Sequence, residues 1–256
     1  MSPERFALLV GLVVFAGGAL GLALQRILPD ESTTGGPRDM IGAVVGLLTL
    51  LSALTMGLLI WTAYAVYAGQ NAAIQNLAAK VLQLDLALSD YGPDALPVRK
   101  NLRDVVGKTV DEIWGAKATD ADFAATNFAA AVRNLRDREK ALADLHPSTD
   151  AQKEALAIAN STVDAIGQAR LQMSFALASP VSYPLIMIVV GWGVFLFCGF
   201  GLMSKGHAMS LVAVIVGAIA VASAVYMILD LSSPYSGIFR ASSAPLEQVL
   251  AVMGKE

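Results

Sequence analysis

Four long runs of apolar residues divide the chain. They occupy residues 6–24, 41–68, 184–203 and 210–229, and none contains Asp, Glu, Lys, Arg or His. A helix needs about 20 apolar residues to cross the roughly 30 Å hydrocarbon core of a bilayer. The pattern therefore predicts four transmembrane helices. Residues 204–209 leave room only for a tight turn, so the last two spans are expected to form a hairpin.

Residues 69–180 have a different pattern and carry most of the chain's 18 basic and 21 acidic residues. Their apolar positions recur three and four residues apart, which is typical of amphipathic helices. This spacing predicts that the second span continues as one long helix until YGPDALP at 91–97, where Gly and Pro end it. The positions that carry the spacing in this helix are Ile74, Leu77, Val81, Leu84 and Leu88.

Three further helices are predicted in this segment, over 98–114, over about 120–145 and after Thr149. Thr149 and Gln152 have the spacing of a capping box. Arg170 interrupts the apolar face of the last helix and is expected either to pair with an acid or to extend towards the membrane surface. The apolar faces favour an antiparallel bundle or contacts between subunits, and the sequence does not separate these. The positions of the last helix are Leu156, Ala159, Val163, Ile166, Met173 and Leu177; those of the middle one include Phe128, Val132, Leu135, Leu142 and Leu145.

No alternating pattern of strand length occurs, so the predicted fold is all-α. The protein is expected to be a polytopic membrane protein with four transmembrane helices and a helical cytoplasmic bundle inserted between spans two and three. The predicted divisions are 1–68 for the first two spans, 69–180 for the bundle, 181–229 for the hairpin and 230–256 for a C-terminal turn and amphipathic helix.

Composition supports a membrane location and narrows the chemistry. The chain is 55% hydrophobic and 15% charged, with a mean hydropathy of +0.59, whereas soluble domains average about 25% charged residues. Its net charge of −3 does not favour nucleic acid as a partner. The single Cys198 and two distant histidines offer no zinc site and no nucleophile–base pair. We expect no catalytic residues, no metal and no cofactor, and hence no enzyme. Without an acid inside a span, a proton-coupled pump is also disfavoured.

The distribution of basic residues predicts the orientation. The positive-inside rule places the side with more Lys and Arg in the cytoplasm. A secretory signal is the alternative for 6–24, but this run is longer than a signal core of about 7–15 residues. We therefore expect a retained span and cytoplasmic N- and C-termini, in a bacterial inner membrane. The side with the termini and the bundle has Arg5, Lys80, Arg170 and Arg240 near the membrane, and the other side has Arg26, Arg38 and Lys205.

The second span is the candidate pore helix. Four hydroxyl residues lie within about 140° on its helical wheel, and large side chains nearby are candidates to narrow a lumen. The alternative is that these hydroxyls bond to their own backbone and help helices to pack. The hydroxyl residues are Thr49, Ser52, Thr55 and Thr62, and the large ones are Met56, Leu59, Trp61 and Tyr64. Close packing is also predicted by the G-x-x-x-G pairs at 17–21 and 42–46.

The last span ends in LDLSSPYSG at 229–237, followed by S-x-x-P-L at 242–246. Asp230 is expected at the cytoplasmic interface, where its charge need not be buried. Pro234 and Gly237 bracket a predicted turn, and Tyr235 is expected to anchor at the headgroup level. Ser242 or Ser243 is a candidate cap of the final helix. The tail is interpreted as structural.

The layout of spans and this tail together resemble the bestrophin-like family of bacterial membrane proteins, although Tyr235 stands where that family more often has Phe. The family is remotely similar to the bestrophins, which are pentameric anion channels with a pore lined by the second span. The resemblance implies a homo-oligomer and a passive channel for small anions of the chloride type. A non-conducting membrane scaffold or sensor, whose cytoplasmic bundle binds a partner, is the alternative.

Overall fold

The computed structural model describes residues 3–29, 35–114, 142, 144–178, 182–204 and 208–253. These residues form seven α-helices and no strand, which confirms the predicted all-α fold. The helices are α1 (Pro3–Ile27), α2 (Gly36–Tyr91), α3 (Leu96–Trp114), α4 (Asp150–Ala178), α5 (Tyr183–Met203), α6 (Ala208–Leu231) and α7 (Ala244–Val252), with a 3₁₀ turn at Pro93–Ala95. The predicted helix over about 120–145 lies almost entirely outside the described residues.

Four of these helices are long and apolar enough to cross a membrane: α1, α2, α5 and residues Met209–Leu231 of α6. They coincide with the four predicted spans. The second of them, α2, is a single helix of 56 residues. The predicted continuation of the second span into the charged segment is therefore confirmed.

The chain divides into two compact units. The transmembrane unit consists of Met1–Tyr64 and Val181–Ser232, and the helical unit consists of Ala65–Pro180 and Ser233–Glu256. Because α2 runs without interruption from Gly36 to Tyr91, it contributes its first half to the transmembrane unit and its second half to the helical unit.

Within the transmembrane unit, α1 packs against both α5 and α6. The α1–α5 contact brings backbone against backbone: a Cβ added to Gly21 would overlap the carbonyl oxygen of Cys198, and one added to Gly201 would lie 2.6 Å from the carbonyl oxygen of Gly18. Small residues allow this approach, which stabilises helix pairs in lipid by van der Waals packing. The glycine pair at 17–21 is thus a helix-packing site within one chain.

The helical unit has one hydrophobic core, to which α2, α3, α4 and α7 all contribute. The apolar positions that the sequence pattern identified in α2 and α4 face this core. The buried ones therefore pack within one chain and not between subunits. They are Ile74, Leu77, Val81, Leu84 and Leu88 of α2 with Ala159, Val163, Ile166 and Met173 of α4. The core also contains Leu102, Val106, Val110 and Ile113 of α3 and Leu246 and Val249 of α7.

Local signals define the helix boundaries in this unit. Gly92 adopts φ +105 directly after α2, a conformation that L side chains rarely adopt, and the 3₁₀ turn follows. At the start of α4 the backbone N–H of Gln152 donates to Thr149 Oγ1 at 3.2 Å, and the N–H of Thr149 donates to Gln152 Oε1 at 3.3 Å. The predicted capping box is confirmed.

Candidate functional site

The membrane part of α2 has two opposite faces. Val45, Leu59 and Ala63 are buried and fall within about 40° on the helical wheel, and we call them the inner face of α2. At one end of the inner face Val45 packs on α5, since a Cβ added to Gly199 would overlap the Val45 side chain.

The opposite side of α2 is exposed in the single chain. Leu50, Leu54 and Trp61 are 71%, 75% and 68% exposed and also fall within about 40° of one another, on the far side of the helix from the inner face. We call these three residues the outward face of α2. It is entirely apolar except for the indole N–H of Trp61.

The predicted hydroxyl stripe lies on and beside the inner face. The hydroxyls of Thr49 and Thr55 each donate to the backbone carbonyl four residues earlier, both at 2.8 Å. The hydroxyl of Thr62 donates to the backbone carbonyl of Leu59, three residues earlier, at 2.9 Å. Ser52 Oγ is buried and has no hydrogen-bond partner among the described residues. Three hydroxyl protons are therefore engaged with the helix's own backbone, as in the helix-packing alternative.

The large side chains of the predicted pore lining are divided between the two sides of α2. Leu59 is 3% exposed on the inner face and Met56 is half-buried beside it, whereas Trp61 and Tyr64 are exposed. The structure thus does not bring the hydroxyl residues and the aromatic residues to one side of the helix. A lumen lined by the outward face would contain Trp61 and exclude Leu59 and Ser52.

The tail begins with a buried acid. Asp230 lies in the last turn of α6 and is 1% exposed, and the Tyr226 hydroxyl one turn earlier donates to its carboxylate at 3.3 Å. The expectation that this charge need not be buried is wrong. The physical reason is that α6 continues to Leu231, so that Asp230 remains on the packed side of the helix.

The following turn docks into the core of the helical unit. Tyr235 is 1% exposed, its hydroxyl donates to Gln70 Oε1 at 2.8 Å, and its ring packs edge-to-face on Trp114 with centroids 6.1 Å apart. The prediction that Tyr235 anchors at the headgroup level is therefore wrong. The residue is buried because Gln70 supplies the partner that its hydroxyl needs away from water.

The backbone of the turn is held by further contacts. The N–H of Ala241 donates to the carbonyl of Pro234 at 2.7 Å, and Trp114 Nε1 donates to the carbonyl of Ala241 at 2.7 Å. Arg240 Nε donates to the carbonyl of Tyr235 at 3.0 Å, and Gly237 adopts φ +89 between them. Of the two predicted caps of α7, Ser242 Oγ accepts from the backbone N–H of Ala244 at 3.2 Å, whereas Ser243 Oγ donates to Glu247 Oε1 at 2.5 Å. The predicted turn is present.

Gln70 and Trp114 are the residues of this cluster that the sequence did not single out. Gln70 is 2% exposed, and its Nε2 also donates to the carbonyl of Met173 at 3.2 Å. The available signal was that Gln70 is the first of four amide side chains in the charge-free stretch from residue 40 to 79. A buried amide costs free energy unless it is hydrogen-bonded. A buried Gln70 would therefore need a hydrogen-bond partner, but the sequence does not show which residue provides it.

Arg170 of α4 lines a small cavity of about 30 Å³ inside the helical unit, together with Leu77, Val106, Thr109 and Leu246 among others. Burial lowers the pKa of the Arg170 guanidinium, and the charge of Glu112 acts in the opposite direction. Arg170 therefore lies within the electrostatic influence of one acid, Glu112. Asp85 and Arg99 form a bidentate ion pair with distances of 2.9 and 3.0 Å.

Among the described residues no group of three or more His, Cys, Asp or Glu side chains could hold a metal ion. The features that stand out are instead the exposed outward face of α2 and the docked tail. Together with the four spans, they define a multi-pass α-helical membrane protein whose helical unit is formed by the segment between spans two and three and by the C-terminal tail. The family model for the Bestrophin-like domain matches residues 6–246, and the chain belongs to this family. No curated protein and no solved structure matches it.

Proposed function

We propose that the protein is a passive channel for small anions of the chloride type, assembled from several copies of the chain, with the outward face of α2 lining the pore. The observation that carries this proposal is the exposure of α2. Only 11% of its most apolar 18-residue window is buried, against 33% in α1, 39% in α5 and 22% in α6. Copies arranged around a common axis with α2 innermost would remove from the lipid the span that is least buried in the single chain.

The chemistry of the outward face is compatible with an anion pathway. Leu50 and Leu54 would form a hydrophobic constriction, a type of gate that controls conduction by dewetting. The indole N–H and ring edge of Trp61 carry partial positive charge. Because the spans have no acidic side chain in their interiors, no fixed negative charge would repel an anion.

The proposed setting is a bacterial inner membrane with the helical unit and both termini in the cytoplasm. It rests on the excess of basic residues on that side, including Arg5, Lys80 and Arg240. Labelling of an introduced cysteine in the helical unit by a membrane-impermeant reagent tests this orientation. Labelling in intact cells would contradict it.

A second candidate is a non-conducting scaffold or sensor whose helical unit binds a partner. The observation that favours it is the exposure of large apolar side chains on that unit. Leu86 of α2 and Leu96 of α3 are 52% and 48% exposed. Exposed apolar side chains mark a protein-binding surface when they form a continuous patch, whereas single ones are ordinary.

Chloride flux from liposomes that contain the purified full-length protein separates the two. We expect flux from the unmodified protein and a changed rate from Trp61→Ala. The matched control is Phe195→Ala on α5, because Phe195 is also aromatic and also 68% exposed. Absence of flux at every protein density would contradict the channel and favour the scaffold. Equal changes of rate in Trp61→Ala and Phe195→Ala would show that α2 does not line the pore. A monomer by mass measurement in detergent would also contradict the channel.

A further inference from the structure

The tail has an apolar tip that the core of the helical unit leaves uncovered. Ile238 and Phe239 are 74% and 42% exposed, although Tyr235, three residues before Ile238, is only 1% exposed. We call residues 234–241 the tail loop, and Ile238 with Phe239 its tip. What surrounds two adjacent exposed apolar side chains depends on how far they lie from the bilayer.

The tail loop is closed at its base by hydrogen bonds between its two ends. The backbone N–H of Ala241 donates to the carbonyl of Pro234 at 2.7 Å, and Arg240 Nε donates to the carbonyl of Tyr235 at 3.0 Å. Gly237, directly before the tip, adopts φ +89. Six residues, 235–240, lie between the two bonded ends. The tip therefore lies within about 10 Å of the base, because three extended residues reach no further.

The base of the loop is attached to α2 where the apolar run of that helix ends. The Tyr235 hydroxyl donates to Gln70 at 2.8 Å, and the N–H of Ser242 donates to Asn71 Oδ1 at 3.3 Å. The apolar run covers residues 41–68, so Gln70 and Asn71 follow its last residue by about 3–5 Å along the helix axis. These contacts hold the base beside the point where α2 leaves the bilayer.

The chain reaches the same level from α6. The span of α6 ends at Leu231, and Tyr235 follows after four residues, which extend over about 14 Å at most. The N–H of Ser232 still donates to the carbonyl of Ile228 at 3.2 Å, so the first of these residues continues the helix and shortens the reach. The attachment to α2 and the connection to α6 thus independently place the loop next to the bilayer surface.

The size of the tip favours lipid over another protein as its partner. The two side chains expose on the order of 200 Å², given roughly 200 Å² for each whole side chain, whereas a stable protein interface covers about 800 Å² on each partner. Insertion into a bilayer has no such minimum area, and interfacial elements bury their apolar side chains about 5–10 Å into the boundary of headgroups and acyl chains.

We propose that the tail loop inserts its tip, Ile238 and Phe239, into the headgroup layer of the same bilayer that the four spans cross. Tyr235 holds the base of the loop in the core of the helical unit, and the tip provides the lipid contact. The loop thereby ties the helical unit to the membrane surface. This contact does not depend on ion conduction, and a non-conducting protein would have it as well.

Depth-dependent quenching of a fluorescent label tests the proposal. The full-length protein with Cys198→Ala carries one new cysteine, labelled with an environment-sensitive fluorophore, in phosphatidylcholine liposomes. At Ile238→Cys we expect quenching by lipids that carry a spin label near the headgroup, at least twofold stronger than at Leu86→Cys, and little quenching by aqueous iodide. Leu86 is the matched control, because it is 52% exposed and follows Gln70 by sixteen residues, about 24 Å along α2. There we expect the reverse.

Equal quenching at the two positions, by iodide or by the spin-labelled lipid, would overturn the proposal. Protection of the label at Ile238→Cys from both quenchers would show that protein, such as a second copy of the chain, covers the tip, and would overturn it too. If Ile238→Cys does not fold, Phe239→Cys labels the other residue of the tip, which is 42% exposed, and gives the same test.

Discussion

The Tyr235 hydroxyl donates a 2.8 Å hydrogen bond to Gln70 Oε1, although 165 positions separate the two residues. Both side chains are almost fully buried, at 1% and 2% exposure. Since Gln70 also donates to the carbonyl of Met173 at 3.2 Å, one amide links the tail, α2 and α4. The tail is therefore part of the helical unit's core.

Tyr235→Phe should destabilise the helical unit by about 1–3 kcal/mol, because it leaves the buried Gln70 oxygen without a donor. The measurement is urea unfolding of the detergent-solubilised protein with Trp61 and Trp192 replaced by Phe, so that the fluorescence reports only Trp114, whose ring contacts Tyr235. Gln70→Met is the partner variant. Replacing both groups removes the unpaired atom, so the double variant should lose less stability than the sum of the single losses. Strict additivity would show that the hydrogen bond contributes nothing.

Gly237→Ala should destabilise the docked turn by about 1–2 kcal/mol, because φ +89 is a backbone conformation that alanine adopts only with strain. The matched control is Gly107→Ala in α3, where an added Cβ has nothing within 4 Å. Alanine inside a helix should be neutral or stabilising by about 0.5–1 kcal/mol. Thermal unfolding of both variants checks the contrast, and equal midpoints would contradict a strained turn.

Gly21→Ala should disrupt the contact of α1 with α5, because the added methyl group would overlap the carbonyl oxygen of Cys198. Overpacking of this kind costs about 1–3 kcal/mol, and more where backbone must move. Gly46→Ala on α2 is the control, since its Cβ would meet nothing within 4 Å in the single chain. We expect a lower thermal midpoint in detergent for Gly21→Ala only. A similar loss in Gly46→Ala would instead indicate that α2 is packed closely in an assembly.

The sequence predicted the features that depend on local spacing. The apolar positions from Ile74 to Leu88 predicted both the length of α2 and its buried face, because helical periodicity and core burial have the same physical cause. The Thr149–Gln152 capping box was likewise readable, since both of its hydrogen bonds join residues three positions apart.

Contacts between distant residues were not predictable in this way. A tyrosine after a membrane span is as well suited to the headgroup region as to a protein core. Tyr235 is in the core because the distant Gln70 accepts the hydrogen bond from its hydroxyl. Similarly, the spacing of the hydroxyl residues in α2 predicted that they share one side of the helix. No periodicity could show that Ser52 Oγ and Leu59 are buried while Trp61 is exposed.

If the protein conducts anions as proposed, the threonines of α2 should contribute little to the rate. The hydroxyls of Thr49 and Thr62 donate to backbone carbonyls of their own helix, so their protons are not available to an ion. We expect chloride flux from liposomes containing Thr49→Val or Thr62→Val within about twofold of the unmodified protein, a barrier change of about 0.4 kcal/mol. Leu54→Ala on the outward face should change the rate much more, because it widens the constriction. A larger effect of the valine variants than of Leu54→Ala would assign the pathway to the hydroxyl side and contradict a pore lined by the outward face.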